Sequence, residues 1–102
     1  MTSVTVDEVK FRLESGEQLN LIDVREPYEH AEFNIGGILV PLGKVQTMQI
    51  DDIAGLRNEE VIVYCRSGNR SGQAALMLET FGFSNVKTVV GGLLAWKERF
   101  GG

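Results

Sequence analysis

The stretch that decides the fold of this chain is VIVYCRSGNRSG, residues 61–72. Its first four residues form an apolar run, which predicts a buried strand over Val61–Tyr64. The apolar-periodic stretch from Gln73 to Phe81 predicts a helix. Cys65, the only cysteine, therefore lies where the carboxyl end of a strand meets the amino end of a helix. Backbone N–H groups and the partial positive charge of that helix terminus favour the thiolate, which is the reactive form.

Strands and helices alternate along the rest of the chain. Apolar runs predict three more strands, at Leu19–Val24, Ile38–Val40 and Val86–Val90. Capping signals and apolar spacing predict helices over residues 6–14, 26–33 and 93–100, with a weaker helical pattern in residues 42–56. Strands without a polar face belong to covered, mostly parallel sheets. The alternation therefore predicts an α/β layer fold.

Length and composition limit the classes of protein that fit. A chain of 102 residues with 43% hydrophobic content predicts a single domain over residues 1–102. The net charge of −4, with scattered basic residues, argues against a nucleic-acid partner. The amino terminus is polar and no apolar run approaches the roughly 18 residues of a membrane span. One cysteine cannot form an internal disulfide, and a reactive thiol survives best in a reducing compartment. We therefore expect a cytoplasmic monomer without a membrane partner.

The loop after Cys65 has the composition of an anion site. A lone cysteine at a strand end is in most proteins a small buried hydrophobe. Here the next residues are types that turn backbone N–H groups inward and tolerate left-handed dihedrals: Ser67, Gly68 and Asn69. Arg66 and Arg70 add positive charge that deprotonation cannot remove. These features favour a reactive Cys65 over a structural one.

Two chemistries use such a loop. A cysteine-dependent phosphatase has one more residue between cysteine and arginine, and it needs a carboxylic acid to protonate the leaving alcohol. This chain has four residues between Cys65 and Arg70. The smaller loop fits a single sulfur atom better than a phosphoryl group, and its backbone donors would stabilise the terminal charge of a persulfide. Sulfur transfer is therefore the better match, with a phosphatase or arsenate-type enzyme as the alternative.

Four segments of the chain carry a family resemblance. Residues 65–71 resemble the active-site loop of the single-domain rhodaneses, the thiosulfate sulfurtransferase family. Three further segments are similar to the family's other boxes: Leu21–Glu26, Phe33–Ile38 and Val90–Trp96. The resemblance implies a three-layer α/β/α fold with a central, mostly parallel, five-stranded sheet. One departure is Asn34, where the second box commonly has histidine, and it bears on packing or hydrogen bonding more than on the nucleophile.

The resemblance also implies a reaction. Cys65 would take sulfane sulfur from thiosulfate or a similar anionic donor held by Arg66 and Arg70, while the N–H groups of residues 66–70 stabilise the charge. A thiophilic acceptor would then remove the sulfur from the persulfide. Since the chain has no second cysteine, we expect that acceptor to be external: cyanide, a small thiol or a protein. No metal or organic cofactor is expected. The alternative from another class is a persulfide carrier or interaction module without turnover.

Other polar residues invite weaker hypotheses. Asp23, Arg25 and Glu26 match the box whose charges brace the loop, so we expect a structural ion pair rather than acid–base chemistry. His30, the only histidine, lies among the glutamates of a predicted helix. We expect it to be solvated and without a role. One cysteine and one histidine cannot assemble a metal site.

Overall fold

The computed structural model describes residues 1–102 as five strands, five α-helices and one 3₁₀ helix. In chain order the elements are β1 (Thr2–Val4), α1 (Val6–Glu14), β2 (Leu21–Asp23), α2 (Pro27–Glu32), β3 (Ile38–Leu39), α3 (Leu42–Gln46), the 3₁₀ helix (Asp51–Leu56), β4 (Glu60–Tyr64), α4 (Asn69–Thr80), β5 (Asn85–Val89) and α5 (Gly92–Phe100). None of these helices has both the length and the apolar character needed to cross a membrane.

A single sheet contains all five strands in the order β1-β5-β4-β2-β3, and every neighbouring pair is parallel. This confirms the predicted five-stranded α/β fold, with a sheet that is parallel throughout. β4 lies at the centre, where Ile62 is aligned with Leu21 of β2 and Lys87 of β5. The carboxyl ends of the strands therefore meet at one edge, where parallel α/β sheets carry their ligand sites.

Helices cover both faces of the sheet, and the side chains of β4 alternate between those faces. Val61 and Val63 pack in an apolar cluster with residues of α3 and α4. Ile62 and Tyr64 pack in a second cluster with residues of α1 and α5. This period of two places the next residue, Cys65, on the α4 face. Two apolar clusters on opposite faces of one sheet confirm the three-layer arrangement.

The structure differs from the sequence-based prediction in three elements. β1 was not predicted, because it has only three residues and only Val4 among them is buried. α4 begins at Asn69 and not at Gln73, since its first turn is polar and carries no apolar periodicity. The weak pattern in residues 42–56 is two short helices, separated by a turn that includes Met48 at a φ of +57°.

The chain packs tightly against β2 at Gly37, just before β3. Gly37 has a φ of +93°, in the left-handed region that favours glycine. A Cβ at this position would lie 2.6 Å from the carbonyl carbon of Leu21. Gly36 has a similar φ of +100°, but nothing lies within 4 Å of a Cβ built there. A substitution at Gly36 therefore introduces backbone strain alone, whereas the same substitution at Gly37 introduces both strain and a steric clash.

We predict that Gly37→Ala destabilises the protein more than Gly36→Ala. Each substitution costs about 1 kcal/mol because of its left-handed φ. Gly37→Ala costs about 1–3 kcal/mol more, since the backbone of Leu21 must move and β2 with it. Urea unfolding followed by circular dichroism measures both losses. Equal losses would show that the contact with Leu21 does not limit this position.

Candidate active site

Cys65 follows β4 directly and is buried, with 1% of its surface exposed. The chain then turns into α4 at Gly68, whose φ is +109°. This turn brings two backbone amides onto the sulfur: the Gly68 N–H donates to Sγ at 3.0 Å and the Ser71 N–H at 3.3 Å. The Ser71 hydroxyl lies 3.5 Å from the same atom. We call residues 65–71 the sulfur cradle.

The cradle controls the ionisation of Cys65. Burial raises the pKa of the Cys65 thiol, because a buried negative charge loses its hydration. The hydrogen bond between Sγ and the Ser71 hydroxyl lowers that pKa, as do the amides of Ser71 and Gly68 and, least of all, the amide of Ser67, and together they outweigh the burial. The net pKa is below the ordinary value of a cysteine. The sulfur is thus prepared to act as a thiolate.

The donors to the sulfur differ from the set that the sequence predicts. Residues 66–70 were the predicted donors, and the structure has the Gly68 amide in contact with Sγ but adds Ser71. Ser71 occupies the third position of α4, where a helix amide has no intrahelical acceptor. Had the sequence predicted that α4 begins at Asn69, Ser71 would have fallen in its first turn and could have been predicted as a donor. The amides of Arg66, Asn69 and Arg70 donate to no protein acceptor and are available to a ligand.

The two arginines of the cradle have different surroundings. Both terminal guanidinium nitrogens of Arg70, Nη1 and Nη2, donate to Glu29 of α2, at 2.6 and 3.0 Å. These hydrogen bonds lower the pKa of Glu29 to about 2, against the opposing effect of partial burial. Arg66 is exposed and has no carboxylate partner. Only Arg66 is therefore free to meet an anion, and Arg70 would have to leave Glu29 to do so.

A buried ion pair lies beside the cradle on β2. Asp23 is fully buried and accepts two hydrogen bonds from the Arg25 guanidinium, at 2.9 and 2.8 Å. Arg25 also donates to the carbonyl of Phe33, at the end of α2. This is the structural ion pair that the sequence predicts. It braces α2, and α2 holds the cradle through Glu29.

Glu26 has a different role from the predicted one. It is exposed, forms no ion pair, and caps the amino end of α2. Its backbone N–H donates to the Glu29 carboxylate at 3.0 Å. Glu26 therefore forms no ion pair of its own and supports the loop only through Glu29, which lies one helical turn later and makes the contact with the cradle.

The prediction that the His30 side chain is solvated is wrong. Its Nδ1 lies 2.8 Å from the buried carboxylate of Asp23, and its side chain is only 25% exposed. Asn34, which stands where histidine is common, donates to the His30 carbonyl and accepts from the Gly36 N–H. The histidine of this chain thus lies one helical turn earlier, facing β2. The glutamates beside His30 in the sequence indicate a solvent-exposed helix face, so the contact with Asp23 could not be predicted from them.

A cavity of about 90 Å³ adjoins the cradle between α2 and α5. Its lining mixes apolar side chains with charges of both signs: Arg25, Glu29, Glu32, Arg66, Leu93, Leu94 and Lys97. A larger cavity of about 400 Å³ lies between α1 and α5 and has none of the cradle residues in its lining. No cluster of three histidine, cysteine, aspartate or glutamate side chains could hold a metal ion.

Known proteins resemble this chain in both sequence and fold. The family model described as "rhodanese-like domain" matches residues 5–99. Thiosulfate sulfurtransferase 18 of Arabidopsis thaliana is 35% identical in an alignment that covers 96% of this chain and 79% of that protein. A protein of Allochromatium vinosum named sulfurtransferase is 30% identical over 96 residues, which cover 94% of this chain and 88% of that protein.

A solved structure shows the same architecture. The rhodanese-like domain protein from Staphylococcus aureus has a TM-score of 0.81 and 29% identity, over 94% of this chain and 91% of that one. The chain spans only 49%, 25% and 54% of the length of three other curated relatives, from Bacillus subtilis, Mycobacterium tuberculosis and Synechocystis. It therefore matches proteins of about its own size and also parts of longer ones.

We predict that Ser71→Ala raises the pKa of the Cys65 thiol, whereas Ser67→Ala leaves it unchanged. The Ser71 hydroxyl is buried beside Sγ, and the Ser67 side chain is exposed. Loss of a hydrogen bond to a charged sulfur lowers the acid dissociation constant about tenfold. The pH dependence of the alkylation rate with iodoacetamide measures it. Coinciding profiles for the two variants would contradict a role for the hydroxyl.

We predict that Glu29→Gln destabilises the protein in a pH-dependent way. The pKa of Glu29 is about 2 in the folded protein and ordinarily 4.5, so its carboxylate stabilises the fold above pH 4.5. That contribution is lost as the pH falls from 4.5 towards 2. Urea unfolding near pH 7, 4 and 3 should show the difference from wild type shrinking. Glu32→Gln, exposed on the same helix and without an ion pair, is the control. A constant difference down to pH 3 would count against the pairing with Arg70.

Proposed function

The chain belongs to the rhodanese-like sulfurtransferase family, and from that premise we propose that it moves sulfane sulfur through a persulfide on Cys65. The donor is thiosulfate or a similar sulfane compound, and the acceptor is a thiophile supplied from outside. The observation that carries the proposal is the convergence of the Gly68 and Ser71 donors on Sγ in a loop with four residues between Cys65 and Arg70. Such a loop suits one added sulfur atom better than a phosphoryl group.

In the first half-reaction the Cys65 thiolate attacks the outer sulfur of thiosulfate. A new S–S bond forms to Cys65, the S–S bond of thiosulfate breaks, and sulfite leaves with the electron pair. The product is a Cys65 persulfide that carries the negative charge on its outer sulfur. Backbone donors that face developing charge stabilise such steps as an oxyanion hole does. The open amides of Arg66, Asn69 and Arg70 are the donors left for that outer sulfur.

Arg66 is the residue we assign to the anionic donor. Its guanidinium is exposed beside the cradle and has no carboxylate partner, so binding an anion there breaks no existing ion pair. Arg70 would act on the donor only after release from Glu29, and otherwise it fixes the position of the cradle. Ser67 and Asn69 contribute their backbone: the Ser67 amide acts on the Cys65 sulfur and the Asn69 amide has no protein acceptor.

In the second half-reaction the acceptor attacks the outer sulfur and Cys65 leaves as a thiolate. Cyanide would give thiocyanate, and a thiol would give a new persulfide. This sequence has no second cysteine that could take the sulfur internally. We therefore propose an external acceptor, either a small thiophile or a protein thiol. A thiol with a lowered pKa also favours a reducing compartment such as the cytoplasm.

A carrier without turnover is the second candidate. Because Arg70 is paired with Glu29, only Arg66 is free to bind a small anionic donor. Weak binding of small donors would suit a domain that receives its sulfur from a partner protein. The relatives in which this domain is half or a quarter of a longer chain are consistent with such an arrangement. The two candidates share the Cys65 persulfide and differ only in whether small donors and acceptors sustain turnover.

We predict that the protein makes thiocyanate continuously from thiosulfate and cyanide, and that Cys65→Ser abolishes this activity. Mass spectrometry after thiosulfate alone should show the addition of one sulfur atom to wild type and none to the variant. If a persulfide forms but thiocyanate production is negligible, the enzyme proposal fails and the carrier without turnover takes its place. Release of phosphate from an aryl phosphate, lost in Cys65→Ser and without any sulfur adduct, would overturn both in favour of a phosphatase.

A further inference from the structure

The outer side of the sulfur cradle is covered by the first turn of α5. The Leu93 N–H donates to the Cys65 carbonyl oxygen and the Leu94 N–H to the Arg66 carbonyl oxygen, each at 2.9 Å. Amides in the first turn of a helix have no acceptor within that helix. Here two loop carbonyls accept from them, and the positive end of the α5 dipole therefore points at the cradle.

Gly92 makes this contact possible. It is buried at the start of α5 with a φ of +56°. A Cβ there would lie 2.6 Å from the Arg66 carbonyl oxygen and closer still to the Cys65 carbonyl oxygen. Any side chain would therefore push α5 away from the loop. The adjacent Gly91 is crowded by Ala95 of its own helix and not by the loop.

The loop that α5 binds also carries the donors to the sulfur: the Gly68 N–H donates to Sγ at 3.0 Å, and a Cβ built on Gly68 would lie 3.9 Å from the Gly91 nitrogen at the start of α5. The Arg66 carbonyl and the Ser67 N–H belong to one peptide group, and the Ser67 amide lowers the pKa of the Cys65 thiol. When a carbonyl oxygen accepts a hydrogen bond, the N–H of the same peptide group becomes a stronger donor. The Leu94 amide is thus linked to the sulfur through a single peptide group.

We propose that the first turn of α5 is a working part of the sulfur site, with Gly92 as the positioning residue that holds the Leu93 and Leu94 amides against the loop. α4 acts on the sulfur directly, through its own first-turn amide. α5 acts through the loop carbonyls and strengthens the N–H donors on their inner side. This inference goes beyond the proposed function, because it concerns the ionisation of Cys65 and holds for any sulfur donor or acceptor.

The sharpest test compares Leu94→Pro with Leu94→Ala. Proline removes the N–H that binds the Arg66 carbonyl, and the first turn of a helix tolerates proline. Alanine keeps that N–H, and the Leu94 side chain is already 43% exposed. We expect the pH profile of Cys65 alkylation by iodoacetamide to move to higher pH in Leu94→Pro, with a roughly two- to fivefold smaller acid dissociation constant. The profile of Leu94→Ala should match wild type. A merely structural role would lower stability without moving the profile.

A second pair of variants decides the question if Leu94→Pro does not fold. Gly92→Ala should move the alkylation profile in the same direction. Gly82→Ala is its control, because Gly82 has a φ of +98° but the nearest atom to a Cβ there is Arg57 Cδ at 3.8 Å. Folded variants at positions 94 and 92 whose profiles match those of their controls would overturn the proposal.

The wild-type protein offers a test without any change in α5. In ¹⁵N-labelled protein, we expect the amide resonances of Leu93 and Leu94 to titrate with the same midpoint as the alkylation of Cys65. That transition should disappear in Cys65→Ser. Resonances that stay constant through the ionisation of Cys65 would overturn the proposal as well.

Discussion

The need to stabilise negative charge on a buried sulfur is the constraint on which the rest of this structure depends. Cys65 is almost completely buried, and burial alone would keep it a neutral thiol. The charge is tolerated because N–H donors from Gly68 and Ser71 replace the lost water. Those donors reach the sulfur only if the loop is short, turns through a left-handed residue, and begins a helix at once. The sequence between β4 and α4 meets all three conditions.

The loop keeps this shape because its neighbours hold it from two sides. On one side Arg70 is paired with Glu29, which α2 presents. The buried pair of Asp23 and Arg25 fixes α2 in turn, since Arg25 also donates to the Phe33 carbonyl. A buried pair such as Asp23–Arg25 adds little net stability, but it fixes the relative position of its two side chains, because separating them leaves a buried charge without a partner. On the other side is the first turn of α5. The adjacency of β2, β4 and β5 in the sheet therefore determines which groups can brace the sulfur.

Most of this arrangement can be predicted from the sequence because its deciding patterns are local. The apolar run at Val61–Tyr64 indicates a strand covered on both faces, and the composition of the next residues indicates a reactive Cys65. The contacts that escape prediction join distant residues. Glu29 and Arg70 are 41 positions apart, and nothing in the sequence separates this glutamate from the others of α2. His30 has a polar sequence neighbourhood, yet the fold turns it towards a buried carboxylate of β2.

The opposing effects on Cys65 also bear on its reactivity. A lower pKa makes the thiolate more abundant at neutral pH but less nucleophilic. Burial works against the hydrogen bonds of the cradle, so the pKa falls less than those hydrogen bonds alone would make it fall. In the proposed reaction the charge then moves outward by one sulfur atom. The amides that hold the thiolate belong to Gly68 and Ser71, whereas those of Arg66, Asn69 and Arg70 have no protein acceptor. Separate donors for the two sulfur atoms allow one short loop to serve both the attacking thiolate and the persulfide.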